Sequence, residues 1–425
     1  MKNIIPSVKG TRDFYPEQMA VRSWLYTTFR RVSESFGYQE WDAPFLETLD
    51  LYAAKSGEEL VKKQSYVFTD RGGDEITLRP ELTPSLARMV AARQNELIFP
   101  LRWWSFGPFW RYERPGRGRS REFFQWNIDL IGVDSPEADA ELIAIAASFF
   151  KAVRLTPAQV QICVNNRRFL DAEFDLLGIP ANKKVEISAF VDRRDKMEPD
   201  AWETDAVEIG LSSTQLDGLK ALLTDGDRWR KSDELVRLFA ALESLEVMEY
   251  VRFDPNIVRG LLYYTGTVFE AFDVSGSVRR AIFGGGRYDN LLQEVGAEPL
   301  SAVGFAMGDV VISLLLQNLA LIPTLPISSS PILMTVFSLE LLPASLKLAS
   351  DLRKLGLYVT CFPEPAKLPK QFKFADRMGM KVVLVIGPDE ADAGNVTLKN
   401  LGDGTQTTIN REEIPSAIQR ILESR

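Results

Sequence analysis

Between residues 17 and 36 the chain spaces Met19, Val21, Trp24, Leu25, Phe29 and Val32 at helical intervals and then meets Gly37. The pattern predicts one long amphipathic helix with a glycine stop. The next apolar run, YQEWDAPFLETLDLY, is short and carries Pro44, which cannot donate to a sheet ladder and so points to a sheet edge or an interface. From there to about residue 132, the runs SYVFTD, EITLRP, RWWSFGPFWRYE and EFFQWNIDLIGV are separated by polar or glycine-rich turns, the signature of antiparallel strands. A helix follows over SPEADAELIAIAASFFKAV, where Ser135 and Pro136 supply an N-cap and a first-turn proline. Residues from about 166 to 248 alternate helical pieces with charged connections and hold no chemical motif, which predicts an inserted helical subdomain. Strands return over residues 251–274 and 278–283, the glycine run GGGRYDNLLQEVG follows, and the apolar helix GDVVISLLLQNLALI closes the unit.

PTLPISSSP reads as a linker. Beyond it ILMTVFS, YVTCF and KVVLVIG are short β-rich runs, separated by two stretches of helical spacing, a rhythm that predicts a small α/β domain with parallel strands. The expected architecture is an α+β core on an antiparallel sheet with flanking helices over residues 1–325, interrupted by the helical insertion, and an α/β domain over residues 331–425.

With 45% hydrophobic and 25% charged residues over 425 positions, the chain has room for two or three packed domains, and disorder and fibre are excluded. It contains no histidine. That removes Ser-His-Asp hydrolysis, Cys-His proteolysis and histidine-ligated zinc, and leaves carboxylates, arginines, backbone amides and a diffusible metal to carry any chemistry. Cys163 and Cys361 form no C-x-x-C pair, which fits a reducing compartment. No apolar run approaches membrane-spanning length and the first residues carry no apolar leader, so the expected location is cytoplasmic, with no membrane partner. A net charge of -8 means that any nucleic acid must be held by local basic patches.

The densest chemical signal lies between Arg102 and Asp129. Two β-type runs flank a loop holding Arg111, Arg114, Arg117, Arg119 and Arg121 with Gly116 and Gly118 between them, the composition of an anion clamp. On EFFQWNIDL, Phe123, Gln125, Asn127 and Asp129 share one face of a strand, which suggests a lined pocket under that loop. In LRPELT, Glu81 and Thr83 fall on one side of an extended segment, placing an anion and a hydroxyl where an ammonium group is received. VRGLLYYTGTVFEAF sets Arg259 in apolar surroundings that demand a partner or a function, beside Tyr263 and Tyr264 and ahead of Glu270, the candidate metal ligand. FGGGRYDNLL has neither Walker nor dinucleotide spacing. In the last domain Lys367, Lys370, Lys373, Arg377 and Lys381 recur at three or four residue steps, a basic helix face of the kind that meets a phosphate backbone.

Taken in order, KGTRDFYPEQ, FGYQEWDAPFLE, LRPELT, FWRYERPGRGRSREFFQ and RGLLYYTG resemble the histidyl-tRNA synthetase family of class II aminoacyl-tRNA synthetases, over essentially the whole chain. The resemblance implies a class II catalytic domain and an anticodon-binding domain, with ATP, Mg2+, L-histidine and histidine tRNA as substrates and partners. It also implies a homodimer with motif 1 around Pro44 at its interface. Carried over to this chain, Arg111 and Arg259 hold the α-phosphate as the catalytic pair. Glu113 meets the adenine edge, Phe123 stacks on the base and Arg121 approaches the outer phosphates. Glu81, Thr83 and Gln125 receive the α-amino group, Asp129 and Tyr264 bind the imidazole, Tyr263 is a further histidine contact, and Lys367, Lys370, Lys373 and Arg377 meet tRNA.

Three departures stand out. Leu262 replaces an aspartate of RGLDYY, Asp129 is often glutamate, and Val311 stands where motif 3 ends in an arginine that covers ATP. A non-catalytic paralogue, the regulatory subunit of ATP phosphoribosyltransferase, is the alternative. Such paralogues usually lack the last domain and the arginine of RGL, and this chain has both.

Overall fold

In the computed structural model the described residues are 4–53, 63–194, 197–258, 264–290, 292–326 and 328–423. They form two compact units, residues 1–13 with 22–322 and residues 14–21 with 323–425.

Helix α1 (Pro16–Ser35) forms where the spacing predicts and buries Leu25, Phe29 and Val32. It is followed by β1 (Gln39–Glu40), β2 (Leu46–Thr48), α2 (Leu49–Ala53), β3 (Tyr66–Thr69), β4 (Glu75–Leu78) and α3 (Thr83–Ala92). β2, β3 and β4 make a small antiparallel sheet, in the order β2-β4-β3. The main sheet adds β5 (Leu101–Trp110), β6 (Glu122–Ile131), β7 (Val160–Asn166), β8 (Val251–Phe253), β9 (Thr267–Asp273), β10 (Phe283–Tyr288) and β11 (Ala302–Gly308). Its order is β1-β5-β6-β11-β10-β9-β7-β8, antiparallel except at the outer pairs β1 with β5 and β7 with β8. β1 is an edge strand of the main sheet, and Pro44 lies in the irregular stretch between it and β2.

One face of this sheet is covered by α1 and by α4 (Pro136–Ala152), whose N-cap Ser135 accepts from the Ala138 amide. Phe29 stacks on Trp126 with ring centres 4.7 Å apart, and the Trp126 indole donates to Ser33 Oγ at 3.0 Å. Each fully buried large apolar side chain here contributes roughly 2–3 kcal/mol. The helices α5 (Arg167–Leu176), α6 (Lys184–Asp192), α7 (Pro199–Glu208), α8 (Ser213–Thr224) and α9 (Asp233–Ser244) lie within the segment read as an insertion. Their buried Phe174, Phe190, Leu219 and Leu238 belong to the same apolar cluster as Trp104 and Trp126. The segment therefore extends the main core instead of building one of its own. Helix α10 (Asp309–Asn318) ends the first unit's regular structure.

The second unit contains β12 (Ile332–Met334), α11 (Leu342–Lys354), β13 (Val359–Cys361), α12 (Leu368–Arg377) and β14 (Val382–Val385), with β12 parallel to both β13 and β14. It continues through α13 (Pro388–Ala393), the antiparallel hairpin β15 (Asn395–Asn400) and β16 (Gln406–Asn410), and α14 (Ile414–Glu423). The hairpin was not anticipated, because its strands lack a continuous apolar run. Gln371 is fully buried on α12 and ties it to the end of β12. Its Nε2 donates to Val336 O at 2.8 Å and to Ala366 O at 2.7 Å, while its Oε1 accepts from the Val336 amide at 2.9 Å.

Candidate active site

Side-chain alternation on β6 divides two kinds of chemistry. Phe124, Trp126, Ile128 and Leu130 are buried, and Trp126, Ile128 and Leu130 join the main core. Phe123, Gln125, Asn127 and Asp129 occupy the other face, as strand parity predicts. The register carries that face across the sheet. Asp129 stands opposite Gly304 on β11, Gly304 opposite Gly286 on β10, and Gly286 opposite Val268 on β9. One step along, Asn127, Ala306, Gly284 and Glu270 form a parallel row.

The glycines of that face are spaces filled by functional groups. A Cβ on Gly304 would lie 2.0 Å from Asp129 Oδ1, and one on Gly286 would lie 2.8 Å from the Tyr264 ring. FGGGRYDNLL, unassigned by its spacing, is thus the strand that makes room for Tyr264. It also supplies Tyr288, whose hydroxyl donates to Asp129 Oδ1 at 2.7 Å. Neither Tyr288 nor Gly304 was marked in the sequence, since their pairing with Asp129 joins residues more than 150 positions apart. Burial pushes the Asp129 carboxyl up to about 7, against the opposing hydrogen bond from Tyr288.

The loop from β5 to β6 is organised by its own arginines. The Arg111 amide donates to Arg121 O at 2.9 Å, and Arg111 Nε donates to Pro80 O at 2.9 Å. Its guanidinium carbon lies 5.4 Å from the centre of the Phe123 ring, so Arg111 and Phe123 line one spot. Arg121 Nε donates to Glu113 O at 3.1 Å, and Arg121 lies 4.2 Å over Tyr112. The Glu113 carboxylate is paired with Arg119 Nε at 2.6 Å. Arg114 and Arg117 are exposed and make no ion pair among the described residues.

The bond from Arg111 to Pro80 brings LRPELT to this loop. Glu81 follows that carbonyl, and its own carbonyl accepts from the Tyr52 hydroxyl at 3.3 Å. The segment is not extended throughout, because Thr83 is already the first residue of α3. Arg79 anchors it from beneath: Nη1 donates to Asp42 Oδ1 at 2.6 Å and to Ala43 O at 2.9 Å, and Nε donates to Pro108 O at 3.0 Å. At the opposite side Asp309, buried at the start of α10, accepts from the Phe124 amide and from Arg12, each at 2.9 Å. Burial raises its pKa, with Arg12 opposing.

Arg259, Leu262 and Tyr263 lie outside the described residues. Glu270 is on the site face. Among the described residues no group of three or more acidic or cysteine side chains is arranged to hold a metal. A single carboxylate is nonetheless of the right kind for Mg2+, which keeps several waters and shares one or two carboxylates with substrate phosphates. In the second unit Lys367, Lys370, Lys373 and Arg377 are exposed along α12, while Leu368, Phe372, Phe374, Ala375 and Met378 pack inward. No helix among the described residues is long and apolar enough to cross a membrane.

Residues 10–309 match the family model described as histidyl-tRNA synthetase, and residues 325–421 match one described as an anticodon binding domain. The chain is similar to the histidine-tRNA ligase of Haloarcula marismortui, with 37% identity covering 97% of this chain and 98% of that protein. Among solved structures it is similar to the histidyl-tRNA synthetase of Nostoc sp. PCC 7120, with a TM-score of 0.85, 26% identity and coverage of 99% and 100% of the two chains. An ATP phosphoribosyltransferase regulatory subunit/histidyl-tRNA synthetase from Bacillus halodurans C gives a TM-score of 0.72 at 22% identity, covering 88% of this chain and 97% of that one, a likeness of fold alone.

Proposed function

Because the chain belongs to the histidyl-tRNA synthetase family, we propose that it activates L-histidine with ATP and passes the histidyl group to the 3′ end of histidine tRNA. The observation that carries this reading is the convergence of the Arg111 and Phe123 pair with the Asp129, Tyr264 and Tyr288 pocket on one face of β6 and its neighbours.

The first step needs no protein base. The histidine carboxylate is already an anion, and one of its oxygens attacks the α-phosphorus. A new bond to phosphorus forms, the bond to the bridging oxygen breaks, and pyrophosphate leaves with that electron pair. What remains for the protein is alignment and charge stabilisation. Arg111, braced on Pro80 O, faces the α-phosphate, and Arg259 is assigned to the same group. Phe123 stacks on adenine and Arg121 approaches the outer phosphates. Glu113 meets the adenine edge through its backbone or, after Arg119 moves to a phosphate, through its carboxylate. Glu81, Thr83 and Gln125 receive the ammonium group, Asp129 and Tyr264 read the imidazole, and Tyr263 is assigned to the same ligand. A site built to bond both ring nitrogens rejects apolar analogues by about 10⁴ or more. Mg2+, when bound, neutralises phosphate charge, and Glu270 would hold it from the site face.

The exposed basic face of α12 suits the tRNA backbone in the anticodon-binding unit, residues 331–425, beyond a catalytic unit of residues 1–325. Phe45 and Leu46, 46% and 48% exposed beside Pro44, support a homodimer through motif 1. A cytoplasmic location fits the family's work in protein synthesis. The regulatory-subunit reading gains nothing from a likeness of fold, and the match to an anticodon binding domain favours the ligase. Histidine-dependent exchange of pyrophosphate into ATP is the test: exchange well above background is expected, and its absence with pure enzyme and Mg2+ refutes the activity.

A further inference from the structure

The arginine loop between β5 and β6 is joined by a guanidinium from a distant part of the chain. Gly118, at φ +77°, lies between Arg117 and Arg119. A Cβ built on it would stand 3.3 Å from Cδ and 3.9 Å from Nε of Arg280, and 3.8 Å from Cγ2 of Val311. Arg280, in the turn between β9 and β10, therefore lays its stem on the loop at the spot reached by the first turn of α10. Gly118 permits this approach, since any side chain there would press on that stem. Arg280 is exposed and makes no ion pair or hydrogen bond among the described residues, so its guanidinium, next to Gly118, is uncommitted.

Val311 and Arg280 share this space. A long side chain at 311 would compete with Arg280 for it, whereas the short valine leaves it open. Position 311 is also where the family resemblance expects an arginine over ATP, and the chain has no guanidinium there. Arg119 is already paired with Glu113, but among the described residues Arg114, Arg117 and Arg280 carry no such partner, and a guanidinium binds phosphate oxygens bidentately.

We propose that Arg280 holds the polyphosphate of ATP together with the loop arginines, in place of the arginine missing at 311. This rests on reading the site as an ATP site. The test compares the parent, Arg280→Ala, Arg279→Ala and the double variant Arg280→Ala/Val311→Arg by pyrophosphate exchange and by equilibrium binding of ATP with Mg2+. Arg280→Ala is expected to raise both KM and Kd for ATP about tenfold and leave the KM for histidine unchanged. Arg279→Ala, which removes an equal charge one residue away, should change neither, and an arginine at 311 should recover most of the loss. Unchanged ATP parameters in Arg280→Ala, an equal effect from Arg279→Ala, or no recovery in the double variant overturns the assignment. A parent that binds and uses ATP but is indifferent to residue 280 sinks this inference alone. A parent that neither exchanges nor binds ATP sinks both it and the proposed function.

Discussion

Arg287, at the end of β10, and Arg111, at the mouth of the β5 to β6 loop, belong to the same unit but are given opposite surroundings. Arg287 is 2% exposed and its donors are spent on the protein. Nη2 donates to Asp139 Oδ1 at 2.6 Å and to Ser135 O at 3.0 Å, Nη1 donates to Val133 O at 2.9 Å, and Nε donates to Asp139 Oδ2 at 3.3 Å. It fastens the start of α4 to the sheet. Arg111 is half-buried and spends Nε on Pro80 O, with Phe123 beside its guanidinium. The same side chain acts as a staple where its charge is matched by buried partners, and as a clamp where the protein leaves donors for a ligand. Charge and residue type do not separate these roles; the count of committed donors does.

The sharpest way to break this contrast is Arg287→Met. It leaves Asp139 buried without its cation, and a stability loss of roughly 3–5 kcal/mol is expected in urea unfolding. A variant as stable as the parent would deny the staple. Arg111→Ala should do the reverse. Its stability should stay within about 1 kcal/mol of the parent while histidine-dependent exchange falls by about 10² to 10³. A stability loss as large as that of Arg287→Met would merge the two classes.

Asp129 tests the contrast from the acidic side, for it is buried like a staple, yet among the described residues its carboxylate receives only the Tyr288 hydroxyl. Its pKa is about 7 in the folded protein against an ordinary 3.8. Between those values the folded state keeps a proton that the unfolded state has released, so this carboxyl lowers stability progressively as pH rises from about 4 and fully above 7. Asp129→Asn has no proton to lose. It should be more stable than the parent by on the order of 1–3 kcal/mol at pH 8, with the gap closing towards pH 4, and its KM for histidine should rise. A gap that does not vary with pH would show that the carboxyl is not carried at this cost.

The polar face of β6 was legible because strand alternation is local: Phe123, Gln125, Asn127 and Asp129 declare it within seven residues. The basic face of α12 was legible for the same reason at helical spacing. What completes the pocket was not. Gly286 and Gly304 act by having no side chain, and their meaning appears only once β10 and β11 are in register with β6. The role of Arg79 is not legible within LRPELT, because its partners Asp42, Ala43 and Pro108 come from two other segments. The residues from 167 to 244 looked self-contained since they carry no motif, yet their apolar faces were cut to fit the main sheet's core.

Asp129 is enclosed beneath Tyr288 and against Gly304, in a chain that contains no histidine of its own. Any imidazole resonance in a complex with substrate therefore belongs to the ligand. In uniformly nitrogen-15-labelled protein bound to labelled histidine, the histidine ring nitrogens observed are the ligand's alone, and their shifts across pH would locate the proton on the ring or on the carboxyl. For most enzymes that bind histidine such a titration is buried under the protein's own imidazoles; here the pocket can be read through its substrate.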